Sequence, residues 1–171
     1  MRALLVIDML NDFLLPEGNL YVGDAGQKII PFIRAKISEF RKGKEKVIYI
    51  CDSHRPDDAE FAMFPPHAIQ GTHGGRVVAA LAPSEDDILI PKRRYSAFFA
   101  TQLDLALREL GLTQLELTGV CTNICVLYTA ADARNLGYQV TVFREGVASF
   151  SMEAHNFTLG EMERVLGVTV K

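Results

Sequence analysis

Net charge, cysteine and long apolar runs are all scarce in this chain. The 171 residues carry a formal charge of -3. That is too mild to make nucleic acid or an anionic membrane the main partner. Lys92, Arg93, Arg94 and Arg108 are too few and too dispersed for a stripe that tracks phosphates. No apolar run approaches the length of a membrane-spanning helix. The only cysteines are Cys51, Cys121 and Cys125. So small and odd a set argues against a disulfide framework and for a reducing compartment. No internal repeat, low-complexity linker or second domain is visible. The opening MRALLVIDML resembles the start of a signal peptide, but Asp8 interrupts it and no small-residue cleavage site follows. A buried first strand and a cytoplasmic protein are therefore expected.

What is present is enough apolar material for one folded domain over residues 1–171, with 49% hydrophobic residues. Short apolar runs predict strands at 3–7, 47–51, 87–90, 115–120, 138–143 and 168–170. Between them, helical spacing places Ile29, Ile33, Ile37 and Phe40 on one face of a helix over 27–42, stopped by Gly43. Thr101 and Asp104 read as a capping box opening a helix to Gly111. Further helices are predicted over 123–136 and from Ser151 to Leu166. Repeated strand–helix alternation implies an α/β fold, a parallel sheet with helices on both faces. The irregular stretch 53–75 is rich in Pro, Asp, Gly and His, and a loop of that length is usually functional.

Ligands of open parallel sheets bind beyond the carboxyl ends of the strands. Asp8 ends the first predicted strand, Asp52 the second, Lys92 follows the third and Cys125 the fourth. Cys125 falls in the first turn of a helix that Thr122 or Asn123 can cap, where the helix dipole favours a thiolate. Its bland reading is a small buried hydrophobe. Cys121 precedes the cap, so its backbone N–H suits an oxyanion better than its sulfur suits attack. Cys51 reads as core packing. Asp8 is costly to bury unless paired, though it can also cap the turn at Asn11 and Asp12. Lys92 between a thiolate and a carboxylate would hold both ionised, or it belongs to a solvated basic loop. Asp52, His54 and His67 suit a divalent ion such as zinc, manganese or iron. Glu60, in the same loop, is a fourth candidate. The alternative is a polar loop with scattered histidines; His73 and His155 receive no role.

The segments MRALLVIDMLNDF, CDSH, FPPHAIQGT, KRRYSAF and GVCTNICVLYTAADARNLGY resemble the ordered motifs of the isochorismatase-like cysteine hydrolases. Within these they are most similar to nicotinamidases (pyrazinamidases). The resemblance runs from Ala3 to about Ser149. It implies a three-layer α/β/α fold with a six-stranded parallel sheet of order 3-2-1-4-5-6. It also implies a triad of Asp8, Lys92 and Cys125, with metal ligands Asp52, His54 and His67 and Glu60 in part of the family. Val120–Cys121 matches a cis peptide shaping an oxyanion hole built from the N–H groups of Cys121 and Cys125. Phe13, Phe64 and Tyr95 match walls of a pyridine pocket, which Val120 also lines. Two positions depart from the pattern: Asn123 stands where Asp is usual, and Ser53 where Trp is common.

The expected reaction is deamidation of nicotinamide to nicotinate and ammonia through a cysteine thioester, with one divalent metal ion, zinc first. The expected partner is a small amide; open faces and edges also allow a homo-oligomer. A hydrolase of another small amide, such as a carbamoyl or ureido compound, is the nearest alternative. A vinyl-ether isochorismatase would not use this cysteine. A thiol redox or binding module using Cys121 and Cys125 is the alternative of a different class.

Overall fold

A computed structural model describes residues 2–171. Six parallel strands form one sheet in the order β3-β2-β1-β4-β5-β6. They are β1 (Arg2–Ile7), β2 (Lys46–Asp52), β3 (Ile88–Lys92), β4 (Gln114–Val120), β5 (Gln139–Ala148) and β6 (Thr169–Val170). Five α-helices accompany them: α1 (Asn11–Leu14), α2 (Asp24–Lys42), α3 (Leu103–Glu109), α4 (Leu127–Asn135) and α5 (Met152–Arg164). The strand order reverses between β1 and β4, which neighbour each other at the centre. Such a switch point opens a crevice at the carboxyl ends of the strands.

Period-two alternation explains why the central strands are apolar throughout. Ala3, Leu5 and Ile7 of β1 face a core shared with α3, α4 and α5, through Leu103, Leu107, Ala130, Ala133, Leu159 and Met162. Leu4 and Val6 face the opposite core, which α2 closes with Ile29, Ile33, Ile37 and Phe40. A strand buried on both faces has no polar side, and its sequence reads as a continuous run. At Gly119, β4 lies hard against β1. Its φ is +114°, and a Cβ there would lie 1.9 Å from the Ile7 carbonyl oxygen. Only glycine permits that approach.

Several boundaries differ from the sequence expectation. Helix α2 begins three residues earlier, after Gly23 at φ 90°. Gly43 is right-handed at its end, and Lys44 takes the left-handed conformation instead. Strand β3 runs on through Pro91 to Lys92, so Lys92 ends the strand rather than following it. Proline is tolerated there because β3 is an edge. The capping box does not form: Asp104 bonds Arg108 and Tyr138, while Thr101 Oγ1 accepts from the Leu103 N–H at 3.2 Å. The helix expected over 123–136 opens with a π turn, Thr122–Val126, before α4 begins. Within 53–75 the only helical piece is the short 3-10 turn Ala59–Ala62.

Candidate active site

Asp8, Lys92 and Cys125 converge at the switch point, each almost wholly buried. Lys92 Nζ lies 2.8 Å from Asp8 Oδ2, 2.5 Å from Asp52 Oδ1 and 3.3 Å from Cys125 Sγ. Register explains one of these contacts, because Lys92 pairs directly with Asp52 across β2 and β3. Asp8 sits just past β1 at φ 51°, its N–H bonded to the Ile50 carbonyl. Its Oδ1 accepts from the main-chain N–H of Asp52 at 2.7 Å. Asp8 therefore faces inward and caps no turn. Asp12 does that work: its carboxylate accepts from the N–H groups of Asn19 and Ala68, tying α1 to the segment that carries His67.

Cys125 rides on the π turn. The turn has no side-chain cap; Thr122 and Asn123 bond elsewhere. Thr122 Oγ1 meets His155 Nδ1 at 2.8 Å, and the Ser149 hydroxyl donates to Asn123 Oδ1. Ile124 and Val126 both donate to the Cys121 carbonyl. The N–H groups of Cys121 and Cys125 take no part in those bonds. The Val120–Cys121 peptide is cis.

Burial sets the protonation states. It raises the Cys125 thiol well above its ordinary value, and the charges of Asp8 and Asp52 add to that against the opposing pull of Lys92. Burial, with Asp52, lifts Asp8 to about 6 despite Lys92. Lys92 itself is raised, because Asp52, Asp8 and Cys125 outweigh its own burial. These shifts favour a protonated sulfur and a charged Lys92. Lys92 and the start of the helix favour the thiolate, as expected of them, and burial beside two carboxylates opposes it.

Asp52, His54 and His67 form a second buried cluster whose donor atoms all lie within 4.8 Å of one another. Asp52 Oδ2 is 3.6 Å from His54 Nε2 and 3.9 Å from His67 Nε2; Glu60 Oε1 is 3.9 Å from the latter. Each ring is oriented from behind. His67 Nδ1 lies 2.8 Å from the Pro65 carbonyl, which can only accept, so Nδ1 carries the proton. His54 Nδ1 lies 3.1 Å from Asp58 Oδ2. Asp58 is held ionised, at about 2, because the Glu60 N–H, His54 and Arg94 outweigh its burial. Both Nε2 atoms are thus presented to Asp52. His54 Nε2 is fully buried and has no hydrogen-bond partner. Asp52, Asp58 and Glu60 outweigh burial and raise the His54 pKa, so positive charge is favoured beside that ring. A buried lone pair, carboxylates alongside and imidazoles fixed from behind are what a divalent metal ion requires.

Both clusters border one narrow, mostly apolar pocket. Phe13, Phe64, Tyr95, Val120, Cys121 and Cys125 line it, as expected. Leu20, Ile124 and Phe150 also line it and carry no sequence signal. Phe61 was missed too; it packs edge-on to His54 and His67 at 5.4 and 5.6 Å between ring centres. Asp58 and Arg94 were overlooked because a loop has no period to read. The four-residue step from His54 to Asp58 was the available hint. Cys51 lies in β2 with its thiol pushed up to about 12, chiefly by burial.

The isochorismatase-domain profile matches residues 2–171. The chain belongs to the isochorismatase family. It is a hydrolase of that family, and three solved members show the range of its likenesses. It is 39% identical to the pyrazinamidase/nicotinamidase of Streptococcus mutans UA159, with a TM-score of 0.95 and all of both chains covered, 100% each. It is 32% identical to the pyrazinamidase of Pyrococcus horikoshii in complex with zinc, at TM-score 0.94, covering 99% of this chain and 98% of that one. It is also 35% identical to an N-carbamoylsarcosine amidase from Thermoplasma acidophilum, at TM-score 0.92, covering 99% and 95%. Backbone likeness therefore leaves the substrate to the chemistry of the pocket. Among the described residues, no helix is long and apolar enough to cross a membrane.

Proposed function

We propose that this isochorismatase-family hydrolase deamidates nicotinamide to nicotinate and ammonia through a thioester on Cys125. One observation carries the substrate class: the cavity that holds the sulfur is walled by Phe13, Phe64, Tyr95 and Phe150, and its charged lining consists of Asp52 and Glu60. Such a pocket suits a flat, neutral, aromatic amide. A carbamoyl amino acid or ureido acid brings its own carboxylate, and the lining offers it no arginine or lysine. Burial together with Asp52 raises the Glu60 pKa, so even one added negative charge is resisted there.

Asp52, His54 and His67, with Glu60 beside them, would hold one divalent ion, zinc first and manganese or iron next. That ion would supply a Lewis-acid anchor for the ring nitrogen. The chain's own groups carry the acyl transfer. Asp8 accepts the Cys125 proton as sulfur attacks the carboxamide carbon, so free thiolate need not accumulate. Lys92 stays charged and offsets the negative charge as it passes between sulfur and carboxylate. The N–H groups of Cys121 and Cys125 are assigned to the oxyanion; losing one such donor typically costs about 3 kcal/mol. Asp8 then delivers its proton to the departing nitrogen, ammonia leaves and the thioester remains. Asp8 next takes a proton from water as water attacks the thioester carbon. It returns that proton to sulfur as nicotinate is released.

The test is ammonia release from nicotinamide, pyrazinamide and a panel of carbamoyl and ureido acids, with metal-free protein and after addition of zinc, manganese or iron. Turnover of the two ring amides above all others is expected. Preference for a carbamoyl or ureido acid would overturn the substrate assignment. Undiminished turnover in protein shown metal-free by elemental analysis would remove the metal.

A further inference from the structure

Two sets of metal-type donors lie side by side and share one residue. The first is Asp52, His54 and His67; the second is Asp8, Asp52 and Cys125, again buried and with donor atoms within 4.8 Å of one another. A thiolate and two carboxylates form a donor set that zinc accepts readily, and the sulfur is the stronger attraction. A hydrolase that keeps a nucleophilic thiol next to a metal ion thus has a problem. A zinc–sulfur bond would occupy the lone pair that must attack substrate.

Lys92 stands where that second ion would go. Its Nζ touches one donor atom of each member of the set: Asp8 Oδ2, Asp52 Oδ1 and Cys125 Sγ, at 2.8, 2.5 and 3.3 Å. The Asp8 oxygen facing it is buried and makes no hydrogen bond within the chain; its contact with Lys92 is an ion pair, not an aligned bond. Asp52 divides its two oxygens between the sites, Oδ1 toward the ammonium and Oδ2 toward the imidazoles. The Lys92 side chain is fully buried, and its strand register with Asp52 fixes where the ammonium lies. An ammonium neutralises the carboxylates, and toward sulfur it offers only a 3.3 Å hydrogen bond, which an attacking sulfur can release where a metal–sulfur bond would hold it.

We propose that the Lys92 ammonium fills a second cation position, formed by Asp8, Asp52 and Cys125, and so keeps the sulfur off the divalent ion held through Asp52. The role in catalysis rests on the metal reading above; the ligand set itself does not.

Cobalt(II) titration of the folded chain tests this, because sulfur–cobalt bonding adds a near-ultraviolet charge-transfer band. Wild-type protein is expected to take up one cobalt without that band. Lys92→Met, close in shape and uncharged, is expected to gain the band, and Lys92→Met with Cys125→Ser is expected to lose it again. A Lys92→Met protein with no sulfur–cobalt band, or a wild-type protein that has one, overturns the proposal. Wild-type protein that takes up no cobalt instead overturns the metal reading, and the variant's band still decides this one. Should Lys92→Met not fold, alkylation of Cys125 in wild-type protein, read on its peptide by mass spectrometry, decides the matter. The rate is expected to stay within about twofold with and without cobalt, and protection of about tenfold or more overturns the proposal.

Discussion

The main-chain N–H of Asp52 donates to Asp8 Oδ1 at 2.7 Å, so the backbone of a candidate metal ligand orients the candidate catalytic base. The Asp52 side chain then reaches Lys92 on one side and the two imidazoles on the other. Acid–base and metal-binding groups thus form one buried network, and a change in either half should be felt in the other.

Cys125→Ala should abolish turnover, by at least about 10⁴-fold, as removal of a nucleophile does elsewhere. The fold should survive, since the change empties only a sulfur's volume from a pocket wall. Cys121→Ala should retain turnover, because Lys92 contacts the sulfur of Cys125 and Cys121 is assigned only a main-chain N–H. Ammonia release and a thermal melt on both variants check this. Near-normal activity in Cys125→Ala would remove the thioester.

The acid limb of kcat/KM should report Asp8. Its folded value is raised to about 6, and the base form is the one that accepts the thiol proton. Activity should therefore climb as pH rises through about 6, and fall about tenfold per unit below it. Asp8→Asn should lose the activity together with that limb. A limb at the ordinary carboxylate value near 4 would show that Asp8 is not the group being read.

Asp58→Asn should weaken zinc binding by about 10- to 100-fold, the usual cost of losing a carboxylate behind a ligating histidine. Asp58 touches His54 Nδ1 but not the cavity, so the loss would act through ring orientation. Competition against a chromophoric chelator measures it directly. Arg94→Ala, one step further out on the exposed side of Asp58, should cost less. Unchanged affinity in Asp58→Asn would leave His54 positioned by packing alone.

Gly119→Ala should prevent stable folding, costing about 4 kcal/mol or more. The added Cβ would meet the Ile7 carbonyl at 1.9 Å on a backbone already at φ +114°, and neither central strand can move aside. Denaturant titration of soluble protein, if any forms, is the measure. A wild-type midpoint would mean that β1 and β4 can separate without loss.

Element order and sheet class were legible because they rest on local chemistry. The continuous apolar run at 3–7 and the spacing of Ile29, Ile33, Ile37 and Phe40 each report a burial pattern wherever the segment ends up. Asp8, Asp52, Lys92 and Cys125 could be gathered from the sequence for a related reason: parallel strands all deliver their carboxyl ends to one edge.

The tertiary structure alone decided what those residues are able to do. The raised thiol at 125, the raised carboxyl at 8 and the ammonium shared among three partners depend on burial and on charges from the ends of β1, β2 and β3 meeting within a few ångströms. His155 behind Thr122 and Arg94 behind Asp58 likewise arise from contacts between segments far apart in the chain. Local sequence fixes which side chain sits at a strand end. Desolvation and the neighbours it acquires on folding fix its charge, its tautomer and its reach.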